Sequence, residues 1–171
     1  MITGIGPVTS LGTGKQEFFN KLFAAETNIA SIPDNYQENY QFQSQYYVPA
    51  PEVKLNSKLK RLDRLMGAAA KLTVKGAELA LLDAGVSMQE AGKYYDLQDI
   101  ENCGVIMGIG FSNLEEAFTS YQAHNSSEEE KAGQYSRMII PKMMPNSVAS
   151  WLSIIYNLEE LNHTINAVCA S

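Results

Sequence analysis

The side chains best suited to covalent chemistry are two cysteines, Cys103 and Cys169, and two histidines, His124 and His163. Cys169 stands first. It follows an extended-reading segment, His163 to Val168, and precedes two small residues, Ala170 and Ser171. A thiol at a strand end, beside unpaired backbone N–H groups, has its thiolate form favoured. The same N–H groups can stabilise the oxyanion that forms when sulfur attacks a thioester carbonyl. The residues alone leave a second reading open, an exposed and inert thiol, because no helix follows within the 171 residues.

Cys103 opens an apolar run and reads as a buried structural cysteine. His124 reads as part of a polar loop with Asn125 and Ser126, and His163 as the start of the last strand. Neither has a carboxylate or second histidine at a metal-ligand spacing, so no metal site is expected. His163 precedes Cys169 by six residues, roughly 20 Å along an extended strand, too far to act as its base. Gly4-Ile5-Gly6 and Gly108-Ile109-Gly110 fit neither the dinucleotide fingerprint nor the phosphate loop, so no cofactor is expected.

Composition narrows the partners. Apolar residues make up 45 % of the chain and charged residues 19 %, which suits a folded globular domain. A net charge of -6 disfavours nucleic acid. No run of 18 apolar residues suggests a membrane span, and no secretory signal is visible before the first strand. Two cysteines make no disulfide framework, so a reducing, cytoplasmic setting is expected. Lys54, Lys58, Lys60, Arg61 and Arg64 form the one dense basic run, read either as a solvated helix start or as a docking patch for an acidic partner.

The elements that must hold Cys169 follow from periodicity. Ile2 to Ile5 reads as a strand, followed by glycines that permit turns and close backbone approach. Lys15 to Ala25 reads as a helix with Phe18, Phe19, Leu22 and Phe23 on one face. Residues 34–58 read as an irregular Tyr- and Gln-rich excursion packed by its aromatics. Lys58 to Ala84 reads as one long helix, rich in alanine, closed by Gly85. Its small residues predict that another element comes close. Cys103 to Gly110 reads as a strand covered on both faces. Asn113 to Tyr121 reads as a helix, Asn125 to Glu130 as an acidic loop, and Pro145 as the opening of a helix with Val148, Ala149, Leu152 and Tyr156 inward. This order is that of an α/β layer structure. Tyr46, Tyr47, Met143 and Met144 read as packing residues that could also line a cavity.

Several segments together resemble β-ketoacyl synthases of the thiolase-like superfamily. The segments are Ile2 to Gly12, Arg61-Leu62-Asp63-Arg64 before the alanine-rich helix, Ala80 to Gly85, Gly104 to Gly110, Pro145-Asn146 through Ser153, and Thr164 to Ser171. They occur in the family's order along nearly the whole chain. The resemblance implies the N-terminal half of a thiolase-like layered α/β fold, a mixed sheet covered by helices. Residues 1–171 would form its N-terminal domain, ending just after the nucleophile position. It implies Cys169 as the residue that takes the acyl group. Two further catalytic residues, usually histidines, would come from a second half, and acyl carrier protein would deliver the substrate. The reaction implied is decarboxylative condensation of an acyl thioester with a malonyl thioester, in fatty acid or polyketide synthesis.

Some positions depart from the family. Ala167 and Val168 stand where threonine and alanine are usual, Asn157 and Glu160 where glycines are usual, and Leu161 where proline is common. These changes put a tuned active site in doubt. Without the second half that the resemblance implies, the isolated 171 residues are expected to be inactive in condensation, and to need a homodimer or a complementary C-terminal half over exposed apolar surface. The strand before Cys169 is expected at a twofold interface. The alternative is a non-catalytic interaction or subunit protein derived from a ketosynthase.

Overall fold

The computed structural model describes residues 1–34, 41–125 and 138–170. Among these residues the elements are short strands and five α-helices. In chain order they are β1 (Val8–Thr9), β2 (Gly12–Thr13), α1 (Lys15–Phe23), β3 (Ala30–Ser31), β4 (Tyr46–Tyr47), α2 (Ala68–Asp83), β5 (Met88–Ala91), β6 (Tyr94–Leu97), β7 (Val105–Gly108), α3 (Leu114–Asn125), α4 (Ile139–Met143), α5 (Pro145–Tyr156) and β8 (Asn162–Ile165). Of these helices α4 is a single short turn and a half. Antiparallel ladders join β1 to β2, β3 to β4 and β5 to β6; a parallel ladder joins β7 to β8. The architecture is the expected mixed α/β layering.

Helix α5 is the centre of the core. Pro145 occupies its first turn, where a missing N–H costs nothing. Val148, Ala149, Leu152, Ile155 and Tyr156 recur at helical spacing and are buried. This face lies on β6, β7 and β8, and α2 packs against it. The helix stops at Asn157, which adopts the left-handed conformation (φ 49°, ψ 49°). Asparagine tolerates that conformation better than other side-chain-bearing residues, so the loss of a glycine there does not prevent the turn.

The long helix expected over Lys58 to Ala84 is divided. Lys60–Leu62 is a 3-10 turn, and the α-helix begins only at Ala68. In a continuous helix the Ala69 N–H would bond to Leu65. Here it donates to Asn113 Oδ1 at 3.1 Å, and Gly67 is extended to let it do so. The first segment still turns Leu59, Leu62 and Met66 into the core. Gly85 closes the helix as read. At φ 74° it lets its own N–H reach Leu82 O and the Val86 N–H reach Leu81 O.

The predicted close neighbour of this helix is the N-terminal segment. A Cβ at Gly4 or Gly6 would collide with the backbone of α2 near Gly76 to Ala84. Ile2 to Ile5 joins no ladder among the described residues, so the strand read there is not formed. Its anchor is Asp83, whose carboxylate accepts the Ile5 N–H at 3.0 Å and pairs with Lys15 at 2.8 Å.

Four other readings change. The strand β7 is covered on one face only: Val105 is buried, whereas Ile106 is 70 % exposed. The apolar face of α1 is open, with Phe23 84 % exposed and stacked on Phe19. His124 lies on α3 rather than in a loop, and the acidic stretch from Ser126 to Glu130 lies outside the described residues. In the Tyr-rich segment, Tyr36 and Tyr40 also lie outside them, while Tyr46 and Tyr47 pair with β3 and stay exposed. They do not pack a local core.

The hairpin β5–β6 was not legible as two strands. Gly92, at φ 53°, is the first residue of its two-residue turn, a place that favours glycine. Tyr95 docks the hairpin on Tyr156 of α5, and Lys58 lies 5.4 Å over the Tyr95 ring while pairing with Glu90 at 2.9 Å. Burial pushes the Tyr156 phenol well above its usual range, with smaller contributions from Glu78 and Tyr95. No helix among the described residues is long and apolar enough to cross a membrane.

Candidate active site

The two parallel strands end at the same edge. Val105 to Gly108 pair with Asn162 to Ile165 in register, and the Ile109 N–H donates to Ile165 O at 2.9 Å as a further rung. Beyond it β7 runs into Gly110 to Asn113. Beyond it β8 runs through Asn166 and Ala167 into a 3-10 turn, Val168–Ala170. Cys169 is the middle residue of that turn and is exposed.

The turn is held against β7. The Asn166 side-chain amide, oriented by its hydrogen-bond partners, donates from Nδ2 to Ile109 O (3.1 Å) and Gly110 O (2.9 Å). Val168 has φ 53°, a left-handed conformation that a β-branched residue seldom adopts. Its backbone passes over Gly110, where a Cβ would sit 3.9 Å from Val168 Cα and O.

The other reactive candidates are elsewhere. Cys103 precedes β7, so the parallel pairing puts it at the opposite end of the ladder from Cys169. It is half-buried rather than fully buried, with Sγ 3.8 Å from the Gly104 carbonyl. His163 pairs with Ile106 within the ladder, and His124 is an exposed residue in the last turn of α3. Cys169 therefore shares its turn with Val168, and Asn166 and Gly110 flank that turn. The missed signal was a side chain with two donors, Asn166, one residue past the end of a parallel strand.

A cavity of about 970 Å³ is lined among others by Lys54, Lys60, Met66, Lys71, Asn113 and Lys142, and Cys169 is not in its lining. Lys71 is paired with Asp63 at 3.0 Å and Lys142 with Glu116 at 2.8 Å. Of the basic run, Lys54 and Lys60 face this cavity, Lys58 is taken up by Glu90, and Arg61 and Arg64 are exposed. Tyr46, Tyr47, Met143 and Met144 do not line it. A smaller hollow beside Cys103 carries Asp96, Glu159 and Glu160. No cluster of three potential metal ligands occurs among the described residues.

Residues 1–171, the whole chain, match the family described as Beta-ketoacyl synthase, N-terminal domain. The chain belongs to that family. It is 26 % identical to a 3-oxoacyl-acyl-carrier-protein synthase homolog of Saccharomyces cerevisiae, over all of this chain and 42 % of that protein. It is 25 % identical to 3-oxoacyl-acyl-carrier-protein synthase 1 of Haemophilus influenzae, over all of this chain and 39 % of that one. The ketosynthase-family chain thus spans about two fifths of the length of these relatives. Among solved structures, a β-ketoacyl synthase from Burkholderia phymatum superposes with a TM-score of 0.70 at 22 % identity, covering 98 % of this chain and 38 % of that one. That likeness supports the thiolase-like layered fold.

Proposed function

We propose that this ketosynthase domain supplies the nucleophile of a decarboxylating condensation between an acyl thioester and a malonyl thioester. The Cys169 thiolate attacks the acyl carbonyl, a tetrahedral oxyanion forms, and the carrier thiol departs with a proton, leaving the acyl group on sulfur. The observation that carries this reading is the seat of Cys169 in a tight turn where two parallel strands end together. Neither histidine of this chain lies at that edge, so in this reading the groups that handle malonyl decarboxylation come from outside residues 1–171. In this reading residues 1–171 form the N-terminal ketosynthase domain, with 34–58 as its irregular excursion. A reducing cytoplasmic setting keeps Cys169 a free thiol. The acyl group arrives on an acidic carrier protein, for which Lys54, Lys60, Arg61 and Arg64 offer positive charge.

Completion by further protein is part of the proposal. Parallel ladders are normally covered on both faces. Ile106, Phe111 and Ile165 are exposed at or beside β7 and β8. A complementary C-terminal half, or a twofold mate pairing along β8, would cover this apolar surface. The alternative, a subunit without catalysis, is favoured by one observation: Ala167 and Val168 stand immediately before the cysteine in place of the residues usual in the family. Acyl transfer to the purified chain separates the two. An acyl adduct on Cys169 supports the enzymatic reading, and a chain that never acquires one supports the subunit reading.

A further inference from the structure

We propose that Asn166 is a positioning residue for Cys169, its side-chain amide clamping the turn that carries the thiol to the end of β7. The inference deepens the proposed function and rests on it for its catalytic consequence.

The Ile109 N–H donates to Ile165 O at the end of the ladder, and Cys169 follows four residues after Ile165. Asn166 lies between them and ties this segment to β7. A primary amide has two N–H donors, and two successive carbonyls, those of Ile109 and Gly110, lie 3.1 and 2.9 Å from its nitrogen. One side chain thus continues the ladder for one more rung on each of two acceptors.

The clamp is placed where it is needed. Val168, two residues on, holds φ 53°, which for a β-branched residue persists only when the surroundings over-determine it. Asn166 supplies one such constraint on the N-terminal side of the turn. Gly110, which accepts the shorter of its bonds, also lies beside the backbone of Val168. Releasing the amide would let the turn relax and the thiol sample many directions. The loss then falls on directed attack at a carbonyl, which needs alignment, and not on the thiol's exposure.

Asn166→Asp is the test variant, since it keeps the shape and presents a carboxylate without donors to two carbonyl oxygens. The parent and variant are compared in backbone NMR order parameters at Val168 and Cys169, in acylation of Cys169 by an acyl N-acetylcysteamine thioester, and in alkylation by iodoacetamide. Expected are order parameters that fall from about 0.85 to below about 0.6 and acylation slower by about tenfold. Alkylation of Cys169 stays within about twofold, because an exposed thiol needs no alignment to meet a small reagent. Asn166→Gln, which keeps both donors, recovers part of the order. Unchanged order parameters in Asn166→Asp overturn the clamp. A parent chain that takes no acyl group overturns the nucleophile reading, and the order parameters still decide the clamp. If Asn166→Asp loses its far-UV circular dichroism, Asn166→Ala removes the donors without adding charge and carries the same expectations.

Discussion

The side-chain amide of Asn113 occupies the space that a Cβ at Gly67 would need. Asn113 itself is left-handed, at φ 51°. Its Oδ1 takes the Ala69 N–H and its Nδ2 donates to Lys142 O, so one side chain joins the start of α2, the segment after β7 and the end of α4. The neighbouring Ser112 donates to Met143 O at 2.8 Å. Gly67→Ala should cost about 1–3 kcal/mol by overpacking, and Asn113→Ala about 1–3 kcal/mol by leaving partners unpaired. The double variant should cost less than the sum, because the space vacated by the amide accepts the new methyl. Urea unfolding of the three variants measures this, and strict additivity would count against the contact.

Two glycines that face each other should behave differently. A methyl at Gly6 would collide with the backbone of α2 at Gly76 and Ala80, whereas a methyl at Gly76 would meet Gly6 O at 3.1 Å. Backbone cannot step aside, so Gly6→Ala should undock the N-terminal segment and expose it to protease. Gly76→Ala gains about 1 kcal/mol of helix propensity against that tight contact, and should leave unfolding nearly unchanged. Limited proteolysis and thermal unfolding of the two variants give the comparison; equal effects would contradict the packing described.

The same segment should respond to acid. The Lys15 ammonium, then the Ile5 N–H, hold the Asp83 carboxyl below its usual 3.8. A carboxyl with a depressed folded-state value contributes stability above its unfolded value and loses it as pH falls through the folded one. The anchor should therefore be intact above pH 3.8 and released below it. The Asp83 side chain, followed by carbon NMR, should titrate below 3.8, with the Ile5 amide shifting in step. Asp83→Asn should remove the shift at Ile5. Titration at or above 3.8 would contradict the anchor.

Ile106 tests whether the open side of β7 seeks a partner. It is 70 % exposed beside exposed Ile165, so Ile106→Lys should leave unfolding within about 0.5 kcal/mol of the parent. Sedimentation velocity should show the parent associating with concentration and the variant remaining smaller. A parent that sediments as a monomer at all concentrations would contradict an interface between copies on this face.

The parts of the fold that repeat at helical spacing were legible. Val148, Ala149, Leu152 and Tyr156 are inward as their spacing implies, and Pro145 and Gly85 mark helix ends for the local reasons that proline and glycine do so. What was not legible depends on distant contacts. The break before Ala68 is imposed by Asn113, far along the chain. The apolar run Val-Ile-Met reads as a strand buried on both faces, yet Ile106 is open, since composition records only that a residue is apolar and not whether something covers it. At the candidate site, Cys169 was visible as a cysteine after an extended segment. The contribution of Asn166 was not, because it depends on the parallel register that brings Ile109 and Gly110 within reach.

The most direct measurement is intact-mass and peptide analysis of the 171-residue chain after incubation with an acyl-loaded carrier protein, alongside Cys169→Ser and Cys103→Ser. The account predicts a single thioester-linked acyl group, lost in Cys169→Ser, retained in Cys103→Ser, released by neutral hydroxylamine, and no condensed product when malonyl carrier is added. An acyl group that persists in Cys169→Ser, or none on the parent chain, would contradict it.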